Sequence, residues 1–285
     1  MKKNNSTGLI EIPSGKNKRY ENFPVASYVL SKSIRPHINT FYSFSRTIDD
    51  IADSNTINAK EKIDRLSGFE NAIIGKDTTS TEFEKAHNMR RSLEETGVTE
   101  QHCIDLIQAF KQDATKLRYQ NWDELIGYCQ LSAAPVGRYL LDLHGESTQV
   151  YTKSDALCNA LQILNHLQDC KQDYLTLNRV YLPIVWLAEK GLEVNCLNAA
   201  RSVPELKEVF LKILNSTEDL LQIANKLPRV ITNKRLAIES NSILHIAFGL
   251  TRKLRMRDPL SERIRLSKWQ YIQCCTVGIL KTLLV

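Results

Sequence analysis

The sequence predicts an all-α protein, a single bundle of about ten helices. Two observations predict it: apolar residues recur at spacings of three and four in segment after segment, and β-branched residues rarely alternate with polar ones. A third keeps the bundle whole. Glycine and proline fall between the periodic segments, and no stretch has the length or composition of an interdomain linker.

Taken in order, the periodicity places helices at about 24 to 31, 37 to 53, 59 to 74, 82 to 96, 100 to 116, 122 to 144, 153 to 175, 181 to 190, 204 to 226, 234 to 256 and 262 to 283. Pro36 suits an early turn of the second. The Ser/Thr-rich stretch 75–81, GKDTTST, is a polar loop after the third. Gly97 closes the next helix, and Thr99 with Glu100 opens the one after it. Gly191 ends the segment before it, and no repeat of solenoid period is present.

The 285 residues suffice for one large core, and 42% apolar with 25% charged residues is the balance of an ordinary folded chain. Residues 1–20 read as a flexible segment ahead of one domain over 21–285. The N-terminus has lysines but no apolar h-region, so no secretory signal is expected. Seven cysteines form no CxxC pair and no zinc-like spacing with histidine, which points to a reduced, cytoplasmic protein. The net charge of +6 is uneven: 252–268 holds seven basic residues against Asp258 and Glu262. That end, with the apolar stretch 276–285, is expected to touch anionic phospholipid peripherally at the inner face of the cell membrane; it is too short to span a bilayer. Nucleic acid is not expected as a partner, because the basic stretch has no interleaved aromatics.

Two acidic stripes carry the chemistry. In FYSFSRTIDDIAD (41–53), Asp49 and Asp53 lie about 40° apart on one helix face, with Asp50 to one side, Arg46 about 60° round from Asp49 the same way and Tyr42 on the same stripe. Like charges at i,i+4 oppose a helix by a few tenths of a kcal/mol, so a cation is expected there. In NALQILNHLQDCKQDY (159–174), Gln162, Asn165, Asp169 and Asp173 fall within an arc of about 80°. Two facing stripes of oxygen ligands without His or Cys suit a hard ion, magnesium before zinc or iron. Magnesium keeps positions open for water and phosphate, so a diphosphate is the natural further ligand. No Glu-x-x-His pair on these helices supports a di-iron site. Ser132 lacks a nucleophile elbow, which removes the hydrolase reading.

These residues resemble the squalene and phytoene synthase family of head-to-head isoprenoid synthases, over almost the whole chain. DDIAD (49–53) is similar to the family's first aspartate-rich motif, and NHLQD with Asp173 to its second, with Gln168 where an arginine is usual. ENFPVAS (21–27), RTIDDIAD (46–53), YCQLSAAPVGR (128–138), LNHLQDCKQDY (164–174) and NRVYLP (178–183) most resemble the bacterial hopanoid-cluster branch.

The resemblance implies an isoprenoid-synthase bundle with both stripes on the walls of a central cavity. It implies magnesium held by Asp49, Asp53, Asp169 and Asp173, helped by Asp50 and Asn165. Arg46, Arg179 and, less strongly, Arg138 would contact phosphate. Tyr42, Tyr128, Phe23 and Tyr181 would offer aromatic faces to a carbocation, and Gln162 would orient ligands or water. The expected reaction turns presqualene diphosphate and water into hydroxysqualene and diphosphate without NADPH, with a partner enzyme supplying the substrate. The alternatives are head-to-head condensation of two farnesyl diphosphates, which Gln168 disfavours, and a lipid-binding scaffold without turnover.

Overall fold

A computed structural model describes residues 29–284. Phe23, the stretch 21–27, the segment 1–20 and most of the predicted helix 24–31 lie outside the described residues. α1 (Arg35–Asp53) starts with Pro36 in its first turn, where a missing N–H costs nothing, and buries Phe41, Phe44, Ile48 and Ile51. α2 (Ala59–Ile73) is capped by the Asn58 side chain, which accepts from the Glu61 N–H. α3 (Glu84–Thr96) ends on Gly97, whose φ of 70° is the left-handed conformation glycine adopts freely. α4 (Gln101–Asp113) returns along α1 and α2.

The predicted helix 122–144 is two helices, α5 (Trp122–Ser132) and α6 (Ala134–Leu143). Pro135 in the first turn of α6 cannot donate a helical hydrogen bond back to α5, and Ala133 leaves helical geometry between them. α7 (Tyr151–Leu177) has 27 residues and buries side chains on several faces, as befits a central helix; Asn178 stops it in the left-handed region at φ 51°. The predicted helix 181–190 begins instead as a strand. A two-residue strand β1 (Arg118–Tyr119) pairs in parallel with β2 (Val180–Pro183), and only α8 (Ile184–Ala188) follows as helix. Pro183 blocks a helical hydrogen bond, and the pairing with β1 supplies partners that a helix would otherwise provide.

α9 (Pro204–Ala224), the one-turn α10 (Leu227–Val230) and α11 (Lys234–Met256) complete the bundle. The last helix, α12 (Lys268–Leu283), starts later than predicted, behind a capping box of Ser267 and Gln270. Before it, an irregular strap crosses α7: Gln168 Nε2 donates to the Ile264 carbonyl at 2.5 Å, and Lys171 Nζ to that of Leu260 at 3.3 Å.

One apolar cluster joins α1 to α4 through Phe44, Ile48, Phe69 and Met89; a larger one surrounds α7, α9 and α11. Between them lies a cavity of about 380 Å³. Among the described residues no helix is long and apolar enough to cross a membrane. All seven cysteines are free thiols.

Candidate active site

α1 contributes Ile38, Phe41, Tyr42, Ser45, Arg46, Asp49 and Asp53 to the cavity wall, and α7 contributes Leu157, Leu161, Gln162, Asn165, His166, Asp169 and Asp173. Spacings of three and four put each set on one helical stripe. Along both helices the wall passes from carbon near the N-terminal half to carboxylate near the C-terminal end. Arg179, just past α7, joins those two ends: Nη1 bonds Asp53 Oδ1 at 2.6 Å and Nη2 bonds the Ala52 carbonyl at 2.7 Å. The acidic ends therefore share one end of the cavity.

Charge is concentrated there. Among the described residues the lining holds Asp49, Asp53, Asp113, Asp169, Asp173 and Glu239 against Arg46 and Arg179. The C-terminal ends of α1 and α7 add the negative ends of two helix dipoles. Arg46 bridges its own helix, Nη1 to Asp49 at 2.7 Å and Nη2 to Asp50 at 2.5 Å. Burial would lower the guanidinium pKa of Arg46, and the aspartates outweigh it. At Arg179 burial is likewise overcome, by Tyr181, Asp113 and Asp53. Both side chains stay cationic, and the excess negative charge draws further cations.

No group of three or more His, Cys, Asp or Glu among the described residues encloses a metal by itself. The donor set still fits a hard cation that takes one or two carboxylates per ion and leaves the other positions to water and phosphate oxygen. Asp49, Asp53, Asn165, Asp169 and Asp173 are oxygen donors on facing walls of one cavity.

Three expected site residues stand elsewhere. Asp50 is absent from the described lining and pairs with Arg46. Arg138 is held by Asp155 at 2.7 and 2.9 Å and by Gln130 at 3.0 Å, also off the wall. Gln168 is buried, donates to the Ile264 carbonyl of the strap and is absent from the described lining. Tyr42, Tyr128 and Tyr181 do line the cavity.

Sequence reasoning missed Asp113. This buried carboxylate accepts from the Tyr128 hydroxyl at 2.6 Å and the Tyr181 hydroxyl at 2.9 Å. Burial pushes its pKa up to about 6, against the pull of Arg179 and both phenols. His166 stacks on Tyr181 at 3.7 Å, and burial takes its pKa down to about 3, leaving a neutral ring. Arg263 in the strap reaches Asp169 at 3.8 Å, half exposed at the acidic end. Asp113 had one signal: it continues the apolar stripe of Cys103, Leu106 and Phe110, where a carboxylate has no solvent reason to be. Glu239 interrupts the stripe of Leu236 and Ile243 in the same way.

A family model described as squalene/phytoene synthase matches residues 16–270. The chain belongs to the squalene/phytoene synthase family. A protein of Rhodopseudomonas palustris named hydroxysqualene synthase is 44% identical over 266 residues, which are 93% of this chain and 90% of that protein. The hydroxysqualene synthase of Zymomonas mobilis is 36% identical over 270 residues, 94% of this chain and 90% of its own. The crystal structure of squalene synthase HpnC from Alicyclobacillus acidocaldarius superposes with a TM-score of 0.71 at 26% identity, covering 81% of this chain and 87% of that one. Membership makes the chain an isoprenoid diphosphate enzyme of a generally metal-assisted family, and the superposition gives the bundle its fold.

Proposed function

We propose that the protein is a hydroxysqualene synthase, converting presqualene diphosphate and water to hydroxysqualene and diphosphate. The observation that carries this reading is the meeting of both acidic stripes at one end of a cavity whose remaining wall is mainly apolar. Relatives named for this reaction at 36 to 44% identity support it.

Asp49, Asp53, Asn165, Asp169 and Asp173 would hold magnesium, which when bound neutralises charge on the departing diphosphate. Arg46 and Arg179 donate to phosphate oxygens as charge-assisted partners. The apolar wall of Phe41, Leu157, Leu161 and Ile243 encloses the hydrocarbon and excludes stray water. Tyr42, Tyr128 and Tyr181 present aromatic faces to positive carbon, each worth about 0.5 to 2 kcal/mol. The Asp113 hydrogen bonds fix two of these rings, so their faces are set before substrate arrives. Gln162 orients the water that captures the cation. A condensing enzyme supplies presqualene diphosphate.

Product identification tests the reading. Purified protein is incubated with magnesium and either presqualene diphosphate or farnesyl diphosphate, without NADPH. Hydroxysqualene from the first substrate alone is expected. Condensation of farnesyl diphosphate would establish a transferase instead, and no diphosphate release from either would leave a lipid-binding scaffold.

A further inference from the structure

The outward face of α12 carries carbon where a surface helix ordinarily carries charge. At about 100° per residue, Ile272, Leu283, Thr276, Trp269, Leu280 and Gln273 fall within an arc of about 100° with no ionisable group in it. These side chains are not shielded: Trp269 is 77% exposed, Leu283 65%, Ile272 and Leu280 each 52%. The opposite face is firmly seated. A Cβ on Gly278 would stand 2.6 Å from the Ser242 backbone, and Asn241 Nδ2 bonds the Gly278 carbonyl at 3.1 Å and Thr282 at 2.9 Å. The apolar face is thus held outward by the packing of α12 on α11.

Its rim is cationic. From Lys268 to Leu284 there is no Asp or Glu, while Lys268 and Lys281 are basic. Lys268 and Lys281 stand about 40° and about 80° beyond the two edges of the apolar arc. We infer that this face docks on an anionic phospholipid bilayer, with α12 lying in the plane of the interface. At 16 residues the helix rests there and does not cross.

Charge decides the occupant. A second copy of the chain would set the same basic rim against itself. Residues 1–20 bring Lys2, Lys3, Lys16, Lys18 and Arg19 against only Glu11, again the wrong sign. An anionic surface is complementary to both the rim and the carbon between. Trp269 at the start of the helix is a side chain suited to the headgroup level. The family match ends at residue 270, so nearly all of α12 lies outside it. The helix rides on one face of α11 while Leu236, Glu239, Ser240 and Ile243 on the other face line the cavity, so docking brings lipid within one helix of the site.

Vesicle flotation of the full chain tests this independently of the reaction. Vesicles of phosphatidylcholine alone are compared with vesicles mixed with phosphatidylglycerol. The wild type is expected to float with the mixed vesicles and to release in high salt. Combined Trp269→Gln, Leu280→Gln and Leu283→Gln should weaken binding at least about tenfold. Lys268→Gln and Lys281→Gln should each weaken it about fivefold, as a contribution of about 1 kcal/mol per lysine gives. Brominated lipid should quench Trp269 and spare Trp122 and Trp186, which stack on each other. The lysine variants and the quenching decide the matter should the triple variant fail to fold. Absence of the wild type from anionic vesicles overturns the inference. So does a folded triple variant that binds as the wild type does, or one that merely turns a dimer into monomers.

Discussion

Arg179 Nη1 stands 2.6 Å from Asp53 Oδ1, joining the residue after the cap of α7 to the last residue of α1 across 126 positions of sequence. The same guanidinium bonds the Ala52 carbonyl. This pair ties the C-terminal ends of α1 and α7 together and brings four aspartates to one end of the cavity.

Arg179→Met should destabilise the fold by about 2–4 kcal/mol, because it removes the ion pair with Asp53 and the hydrogen bond to the Ala52 carbonyl; the figure sits toward the low side for a buried pair because Asp53 is one-fifth exposed. Arg179→Lys keeps the charge but cannot serve both acceptors and should recover only part of the loss. Urea denaturation measures both. Equal stability of all three proteins would show that the helices are held together by other contacts.

Asp113 makes stability depend on pH. Its folded pKa, about 6, is above its unfolded value, so its contribution is fully present below about pH 4 and is lost as pH rises through 6. A shift of about two units corresponds to about 3 kcal/mol. Asp113→Asn should remove that slope, so the variant gains on the wild type between pH 4 and 6.5. Parallel denaturation curves across this range would show that Asp113 does not titrate there.

Gln168→Leu should lose about 1–3 kcal/mol, since the Ile264 carbonyl is left buried without its donor. Limited proteolysis in the strap, residues 257–267, should accelerate while the lipid product stays the same. A changed product at unchanged stability would give Gln168 a part in the reaction.

Gly278→Ala should loosen α12. The added methyl meets backbone atoms of Ser242 and Asn241 at 2.6 to 2.8 Å, so the helix must move, at a cost of about 1–3 kcal/mol. Hydrogen exchange should speed in α12 and leave α7 protected. Unchanged exchange in α12 would contradict the close approach.

Much of this was legible in the sequence because it is local. The stripes of α1 and α7 follow from a spacing of three and four, and both aspartate clusters stand on the cavity wall where that spacing puts them. The break at Ala133 was readable at Pro135, yet apolar periodicity runs through it. β2 was not readable, since Val180–Pro183 becomes a strand only by pairing with β1 about 60 residues earlier. The partners of Gln168 and Arg138 depend on a strap and on Asp155, which no helical wheel displays. Asp113 and Glu239 went unread because each is a single acid on an apolar stripe, outside any motif. That the C-terminal ends of α1 and α7 meet is a tertiary fact, held by Arg179.

Calorimetry of inorganic diphosphate binding, with and without magnesium, is the most direct measurement of the shared acidic end. The wild type should bind diphosphate only with magnesium, and Asp49→Asn and Asp169→Asn should each weaken that binding more than about tenfold, because each removes a ligand from one wall. Binding that needs no magnesium, or that survives both substitutions unchanged, would contradict a diphosphate site built between α1 and α7.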